Sequence, residues 1–260
     1  MSVNTYLKEV ANSLCLSDRE YDGIRRSLET IEERITGYFD SVVTTKRYGS
    51  YVRKTILPRR ADEYSDIDLM IVFNDNKLKP QTFLNKMKQF ANKYYCRSEI
   101  YQDSPTIVLE LNHIKFELTP ALNHQIRNSY YIPNGNEWMK TDPDDFYDKL
   151  KKCNKNNRNI IKPIVRILKH WNIQKNDRKI PSFELEKRIA EIPYPSELSS
   201  YLDYLEHSLK YLKYPLSEIC FSPNPCVKKA LKYIEKARDL EDDGYFDDAV
   251  QCIKHIFPEV

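Results

Sequence analysis

The feature that most constrains this chain is an apolar run that begins with two acidic residues. Asp66 and Asp68 alternate at its start, and residues 69–73 continue it with apolar and β-branched side chains. Such a run predicts a strand buried on both faces, and strand alternation puts both carboxylates on the same side. Two like charges this close repel each other unless a cation lies between them, so the pattern favours a site for two Mg²⁺ ions. The alternative is an acidic pair on a solvated strand end.

A second feature lies upstream, where Gly49-Ser50 follows the β-branched run at residues 42–48. A turn at this pair would let backbone N–H groups and the Ser50 hydroxyl approach a phosphate closely. A Gly-Ser pair alone is a weak signal. It becomes more specific when a strand that opens with Asp-x-Asp follows, because one element would hold a triphosphate and the other its metal ions.

A predicted hairpin carries the candidates for a third acid. Two apolar runs, residues 106–111 and 114–118, flank the pair Asn112-His113, and a short polar turn between such runs is typical of a β-hairpin. Its acidic candidates are Glu110 and Glu117. Glu117 alternates with two apolar neighbours, which would turn inward while its carboxylate faces the metals. The alternative for Glu117 is a surface position on an edge strand.

A Gly-Ser turn, an acidic pair and a third acid on a neighbouring strand together resemble the signature of the polymerase-β-like nucleotidyltransferases. That family usually has Asp as the third acid, in a Val-Asp-x-x-Pro-Ala type of context, whereas residues 116–121 here read Phe-Glu-Leu-Thr-Pro-Ala. Of the two candidates, only Glu117 precedes Thr-Pro-Ala. The resemblance implies that Asp66, Asp68 and Glu117 bind two Mg²⁺ ions, with Mn²⁺ as an alternative, and catalyse nucleotide transfer.

Later segments carry a closer resemblance. They are residues 131–143, residues 166–171 (Arg-Ile-Leu-Lys-His-Trp), residues 180–186 (Ile-Pro-Ser-Phe-Glu-Leu-Glu) and the end of the chain. They resemble the bacterial cGAS/DncV-like nucleotidyltransferases (CD-NTases), the oligonucleotide cyclases of CBASS anti-phage signalling. The Leu-Lys-x-Trp and Ser-Phe-x-Leu motifs are also shared with the 2′-5′ oligoadenylate synthetases. The likeness spans nearly the whole chain.

The resemblance implies a nucleotide-binding set beyond the acids, made up of Gly49, Ser50, Lys169, Ser182 and Phe183. Lys169 and Ser182 would reach the terminal phosphates of the donor nucleotide. The chemistry agrees, because a lysine supplies a point charge and a serine at a helix start offers its hydroxyl beside free backbone N–H groups. The alternatives are a solvated helix lysine for Lys169 and a plain helix cap for Ser182.

The order of elements predicts an α+β fold. Residues 2–40 read as two helices, the second of which starts at Ser17 with a capping-box pattern and has a long apolar stripe. The following strands predict a mixed sheet backed by helices, residues 121–148 show few regular elements, and residues 144 onward read as helical. We expect a polymerase-β-like catalytic core at 1–145, a C-terminal helical bundle at 146–260 that clamps the nucleotide, and a spine helix that packs across both.

Composition limits the function classes. Charged residues make up 30% of the chain but leave a net charge of only +3, which does not suggest a protein built to coat nucleic acid. The six cysteines include no Cys-x-x-Cys pair and the five histidines complete no zinc spacing, so we expect reduced thiols in a cytoplasmic protein. No apolar run approaches about 18 residues and the N-terminus lacks the pattern of a secretory signal, so we expect no membrane segment.

The resemblance implies that the chain makes a cyclic oligonucleotide, a dinucleotide or a trinucleotide, from nucleoside triphosphates such as ATP, GTP or UTP. Its effector would be reached through the product, in defence against phage. Two alternatives stay open: an enzyme that adds nucleotides to tRNA or RNA ends, and a catalytically weak nucleotide-binding partner protein. Sensing of double-stranded DNA is not expected, because the Cys/His zinc insertion of animal cyclic GMP-AMP synthase is missing from the sequence.

Overall fold

The structure is a computed structural model that describes residues 1–74, 78–123, 129–213 and 224–260. Its contacts divide the chain into two units. We call Leu16–Arg59 with Glu63–Asp148 the sheet unit, and Met1–Cys15 with Arg60–Asp62 and Lys149–Val260 the helical unit. The predicted division between residues 145 and 146 lies close to the last of these boundaries, whereas the first helix groups with the C-terminal helices.

Seventeen elements follow one another along the described residues. They are α1 (Val3–Ser13), α2 (Asp18–Tyr38), β1 (Val42–Tyr48), α3 (Gly49–Arg53), β2 (Asp66–Phe73), α4 (Pro80–Tyr94), β3 (Glu99–Asp103), β4 (Thr106–Glu110), β5 (Lys115–Asn123), β6 (Tyr130–Asn134), β7 (Glu137–Thr141), α5 (Pro143–Asn156), α6 (Ile161–Lys175), α7 (Ser182–Ala190), α8 (Tyr201–Leu212), α9 (Pro225–Asp242) and α10 (Phe246–Ile256).

The sheet of the sheet unit is mixed, as predicted. Its strands run in the order β1-β2-β5-β4-β3, and β6 and β7 continue from β5. Among the strands of the described residues, β2 and β5 pair in parallel and the other pairs are antiparallel. The parallel pairing brings two strands that are distant in sequence side by side at the centre of the sheet. The predicted hairpin is confirmed as β4 and β5.

One face of the sheet forms the main core of this unit. Alternate residues of β2, from Ile67 to Phe73, pack against apolar residues of α2 such as Ile24 and Leu28, and against α4 residues such as Phe83. The intervening residues of β2 point to the other face. This alternation turns Asp66 and Asp68 away from the main core and confirms that both lie on one side.

The start of α2 is fixed by a capping box. The Ser17 hydroxyl accepts a hydrogen bond from the Glu20 backbone N–H at 3.3 Å, and the Glu20 carboxylate accepts one from the Ser17 backbone N–H at 2.8 Å. Two of the backbone donors that a helix start leaves unsatisfied are thereby paired. The sequence signal for this helix start is confirmed.

Within the predicted irregular segment, residues 129–148 are more regular than predicted, and residues 124–128 lie outside the described residues. The segment contains the hairpin of β6 and β7, in which Asn134 pairs with Glu137 across Gly135-Asn136. Gly135 has φ +62°, the left-handed conformation that such a two-residue turn requires. Trp138 packs edge-on against Phe83 at 5.6 Å between ring centroids, so it belongs to the core of the sheet unit. The Gly-Asn turn was the local signal for this hairpin.

The helical unit ties the first helix to the last residues of the chain. In α1, the buried Tyr6 hydroxyl donates a hydrogen bond to the Phe257 carbonyl at 2.6 Å, and the Val3 N–H donates to the Glu241 carboxylate at 2.8 Å. The buried Arg166 of α6 donates to the Ala11 carbonyl. Throughout the described residues, no helix is both long and apolar enough to cross a membrane.

Candidate active site

The three predicted acids lie on two adjacent strands. In the parallel pair of β2 and β5, Asp68 is in register with Glu117 and Asp66 with Lys115. The residues between them along each strand, such as Ile67 and Phe116, are fully buried in the main core. Asp66, Asp68 and Glu117 therefore share the opposite face of the sheet, where each is partly exposed.

The strand order separates the two candidates for the third acid. Glu110 lies on β4 and is in register with Lys115, so it faces the same side as Glu117. However, β4 is one strand farther from β2 than β5 is, which adds about 4.8 Å. Glu110 also has an ion-pair partner of its own, Arg59, at 3.7 Å. The geometry favours Glu117 as the acid that acts with Asp68.

Lys115 is a member of this cluster that the sequence motifs did not reveal. Its ammonium lies 2.9 Å from Glu117 Oε1 and 3.5 Å from Asp66 Oδ2, and only 13% of its side chain is exposed. Burial lowers the pKa of Lys115, but the hydrogen bond to Glu117 and the charges of Glu117 and Asp66 outweigh it and raise the pKa above its usual value. The alternation along β5 that places Glu117 on this face would also have placed Lys115 there.

The Gly-Ser pair lies directly against Asp68. Tyr48 at the end of β1 is in register with Asp68, and Gly49 begins α3 with φ +73°. A Cβ atom at Gly49 would stand 1.6 Å from Asp68 Oδ2. The carbonyl of Ser50 accepts hydrogen bonds from the N–H groups of residues 55 and 56 at 3.0 and 3.1 Å, which holds the following loop in place. Gly49 is therefore needed both for its backbone conformation and for the close approach to an acid.

This contact predicts a strong effect for Gly49→Ala. The left-handed conformation alone costs about 1 kcal/mol with a side chain, and the added methyl group must also displace the Asp68 carboxylate. We expect a loss of stability in urea unfolding together with a loss of nucleotide transfer. Gly135→Ala is the matched control, because Gly135 has nearly the same φ but no atom within 4 Å of its Cβ position. Equal losses of stability and activity in the two variants would contradict the role of the contact.

Tyr48 is a neutral polar side chain near Asp68. Its hydroxyl and the Thr119 hydroxyl lie 2.8 Å apart. Burial, and then the charge of Asp68, raise the pKa of the Tyr48 phenol, so the side chain stays protonated. Tyr48 therefore adds no negative charge to a cluster that already contains three carboxylates.

The donor set of the cluster fits divalent metal ions. Carboxylate oxygens are the ligands that Mg²⁺ prefers, and here a cation, the Lys115 ammonium, already draws Asp66 and Glu117 together. Within residues 1–74, 78–123, 129–213 and 224–260, no three His, Cys, Asp or Glu side chains are arranged to hold a metal ion. Asp66, Asp68 and Glu117 thus share one face of the sheet with Lys115 as the cation among them, but their side chains as placed do not form a metal site.

The remaining predicted residues belong to the helical unit. Lys169 of α6 is buried, and its ammonium donates to Glu186 Oε1 of α7 at 2.9 Å; the two side chains are only 7% and 1% exposed. Lys169 is therefore not a solvated helix lysine. Ser182 is the first residue of α7 and is exposed, and Phe183 after it is 53% exposed. Contact of these three residues with a nucleotide stays a prediction.

A cavity of about 420 Å³ also lies in the sheet unit, apart from the acids. Arg19, Arg26 and Arg59 line it together with Ile24 and Ile114, and none of the predicted site residues does so. The acid cluster is the candidate site because of its charge, register and close contact with Gly49, which are properties that metal and phosphate chemistry requires.

Comparisons with known proteins identify the family and the fold of the chain. Residues 1–154 match the family model of the Second Messenger Oligonucleotide or Dinucleotide Synthetase domain. None of the curated protein sequences matches the chain. The solved structure of CdnC from E. coli MS115-1 with ATP is similar, with a TM-score of 0.68 and 14% identity over 100% of this chain and 98% of that one.

Two further solved structures share the fold. CdnG from Bradyrhizobium diazoefficiens, in complex with GTP, has a TM-score of 0.68 and 14% identity, and the match covers 97% of each chain. The cyclic AMP-GMP synthase DncV from Vibrio cholerae has a TM-score of 0.56 and 11% identity, over 82% of this chain and 68% of that one. At such identities the similarity establishes the fold, and the family model, which covers more than half of the chain, establishes the family. The chain therefore belongs to the family of second messenger oligonucleotide or dinucleotide synthetases, which are nucleotidyltransferases, as its motifs predicted.

Proposed function

We propose that this protein joins nucleoside triphosphates into a cyclic oligonucleotide with release of pyrophosphate. In each step a ribose hydroxyl attacks an α-phosphorus, a phosphodiester forms and the bond to pyrophosphate breaks. The observation that carries the proposal is the register of Asp68 with Glu117 beside the close approach of Gly49. ATP and GTP are the natural first substrates to test, because related structures hold them.

In this mechanism Asp66, Asp68 and Glu117 would hold two Mg²⁺ ions, or Mn²⁺ ions. When bound, the ions would neutralise the triphosphate and the charge that develops during transfer. Gly49 keeps side-chain atoms away from Asp68, and the backbone N–H groups and the hydroxyl of Ser50 would contact a phosphate. The fixed positions of the acids on paired strands supply orientation, on which most of the rate depends in phosphoryl transfer.

For the helical unit, we propose that Lys169 and Ser182 contact the terminal phosphates of the donor nucleotide and that Phe183 contacts the same nucleotide. Ser182 is suited to this role, because it lies in the first turn of α7, where backbone N–H groups favour an anion. The exposed ring of Phe183 offers an apolar surface beside it. Together with residues 1–145 as the catalytic core, residues 146–260 would clamp the nucleotide.

We further propose that the product acts on a separate effector protein in defence against phage. The five cysteines within the described residues are unpaired, which agrees with a reducing compartment such as the cytoplasm.

The direct test of the proposed activity is to incubate the protein with four ribonucleoside triphosphates and Mg²⁺ or Mn²⁺ and to look for a phosphatase-resistant product. Extension of a tRNA or RNA end would instead support the first alternative, and nucleotide binding without any product would support the second.

Glu117 provides a sharper test, because its carboxylate projects about 1.5 Å farther than that of the usual Asp. We expect the backbone of β5 to compensate for this difference. Glu117→Asp should then lower the rate by about tenfold or more, the scale of a misplaced catalytic group. Glu117→Gln should nearly abolish product formation, because the charge is lost.

Glu110→Gln is the control for Glu117, since Glu110 lies on the same face one strand farther away. It should retain transfer close to that of the parent. Full activity of Glu117→Asp together with Glu117→Gln would exclude Glu117 as the third acid. A loss in Glu110→Gln alone would transfer that role to Glu110.

A further inference from the structure

We propose that Lys115 is a counter-cation built into the acid cluster. Its ammonium positions Asp66 and Glu117, and its charge favours the binding of metal ions that arrive with a nucleotide over the binding of free metal ions. This inference rests on the proposed function, because it takes Asp66, Asp68 and Glu117 as metal ligands. In this view Lys115 is a positioning residue whose charge regulates the occupancy of the site.

The Lys115 ammonium lies between two of the acids. Lys115 Nζ lies 2.9 Å from Glu117 and 3.5 Å from Asp66, so it bridges acids on two different strands. Its strand position is fixed by the register with Asp66, and most of its side chain is buried. A cation held this closely between carboxylates offsets the repulsion that would otherwise drive them apart.

The charge of Lys115 opposes the binding of a free divalent ion. Such an ion would approach carboxylates that are already compensated, and it would be repelled by the ammonium between them. It can bind only if the ammonium moves aside or if both cations share the acids. Either way, the charge of Lys115 lowers the affinity of the site for a free metal ion.

A metal ion that arrives with a nucleoside triphosphate meets a different balance of charges. The complex of one Mg²⁺ with a fully ionised triphosphate keeps a net negative charge, so an ammonium attracts it as a whole. Lys115 therefore lowers the affinity of the site for the free ion but not for the metal–nucleotide complex. The consequence is an order of binding, in which the site is occupied by metal when substrate is present.

The experiment compares affinities for free Mn²⁺ and for Mn²⁺ with a non-hydrolysable ATP analogue, by calorimetry and by the electron paramagnetic resonance of Mn²⁺. We expect Lys115→Met to bind free Mn²⁺ at least about tenfold more tightly than the parent does. A tenfold gain in affinity corresponds to only a modest part of the repulsion between two cations at such distances. The affinity of Lys115→Met for the Mn²⁺–analogue complex should stay equal or fall. Lys115→Arg, which keeps the charge, should bind free Mn²⁺ like the parent.

Lys46→Met is the matched control. Lys46 lies on β1 of the same sheet, in register with Met70, and its ammonium forms an ion pair with Asp144 at 2.8 Å. This variant loses a largely buried lysine and one ion pair but should leave the affinity for Mn²⁺ unchanged. Circular dichroism and urea unfolding establish that each variant is folded before the affinities are compared.

The outcomes separate the inference from the proposed function on which it rests. If Asp66→Asn with Asp68→Asn removes Mn²⁺ binding while Lys115→Met changes it by less than about twofold, the metal site stands and the inference is overturned. If the double Asn variant binds Mn²⁺ as the parent does, the metal site itself is misassigned and both fail. If the parent binds no free Mn²⁺ but Lys115→Met does, the inference is supported; binding by neither overturns it.

Discussion

Replacing Asp66 and Asp68 together by Asn should lower nucleotide transfer by about 10³-fold or more, the scale of losing a group that stabilises transition-state charge. Asn keeps nearly the volume of Asp but carries no charge, so the packing against Gly49 is retained while the proposed metal ligands are lost. Single-turnover formation of product from labelled nucleoside triphosphates measures the effect. Retention of transfer by the folded double variant would overturn the assignment of the site.

A control with the same change of net charge is Asp22→Asn with Asp103→Asn. Asp22 is an exposed residue of α2 and Asp103 an exposed residue at the end of β3, and neither lies on β2 or β5. This variant should transfer nucleotides like the parent. A comparable loss in the control would indicate a general effect of protein charge on nucleotide binding, in which case Asp66 and Asp68 would not be special.

The largest effect on stability is expected for Lys169→Ala. The change leaves the Glu186 carboxylate buried with its lysine partner removed, and breaking a buried pair in this way typically costs about 3–5 kcal/mol. Urea unfolding followed by circular dichroism measures the loss. Lys179→Ala is the control, because its ion pair with Asp177 is largely exposed, at 54% and 87%, and should contribute about 1 kcal/mol or less. A loss for Lys169→Ala as small as that of the control would contradict the buried pair.

A double variant separates the structural role of Lys169 from its proposed role at the phosphates. Lys169→Met with Glu186→Leu removes both charges, and replacing a buried pair by apolar residues is often close to neutral for stability. If Lys169 contacts the terminal phosphates, this folded variant should lose affinity for a nucleoside triphosphate and keep its affinity for the monophosphate. If the double variant binds the triphosphate and the monophosphate each with the affinity of the parent, the role of Lys169 is purely structural.

The sequence by itself determined the local elements of the site. The alternation of acids and apolar residues in β2 placed Asp66 and Asp68 on one face, because strand geometry depends only on neighbouring residues. The capping box at Ser17 and the polar turn before β5 likewise involve groups a few residues apart. The hairpin of β6 and β7 was also encoded locally, at Gly135-Asn136, although the surrounding turn formers concealed it.

Only the tertiary structure decided which charges meet. The parallel register of β2 with β5 joins residues about fifty positions apart, and it alone sets Lys115 beside Asp66 and Glu117 beside Asp68. The strand order distinguishes Glu117 from Glu110, and the packing of α6 on α7 gives Lys169 its partner Glu186. Charge interactions depend on distance in space and on burial, and neither quantity is fixed by a local pattern of residues. The sequence could therefore name the acids, whereas the fold was needed to find the lysine that lies among them.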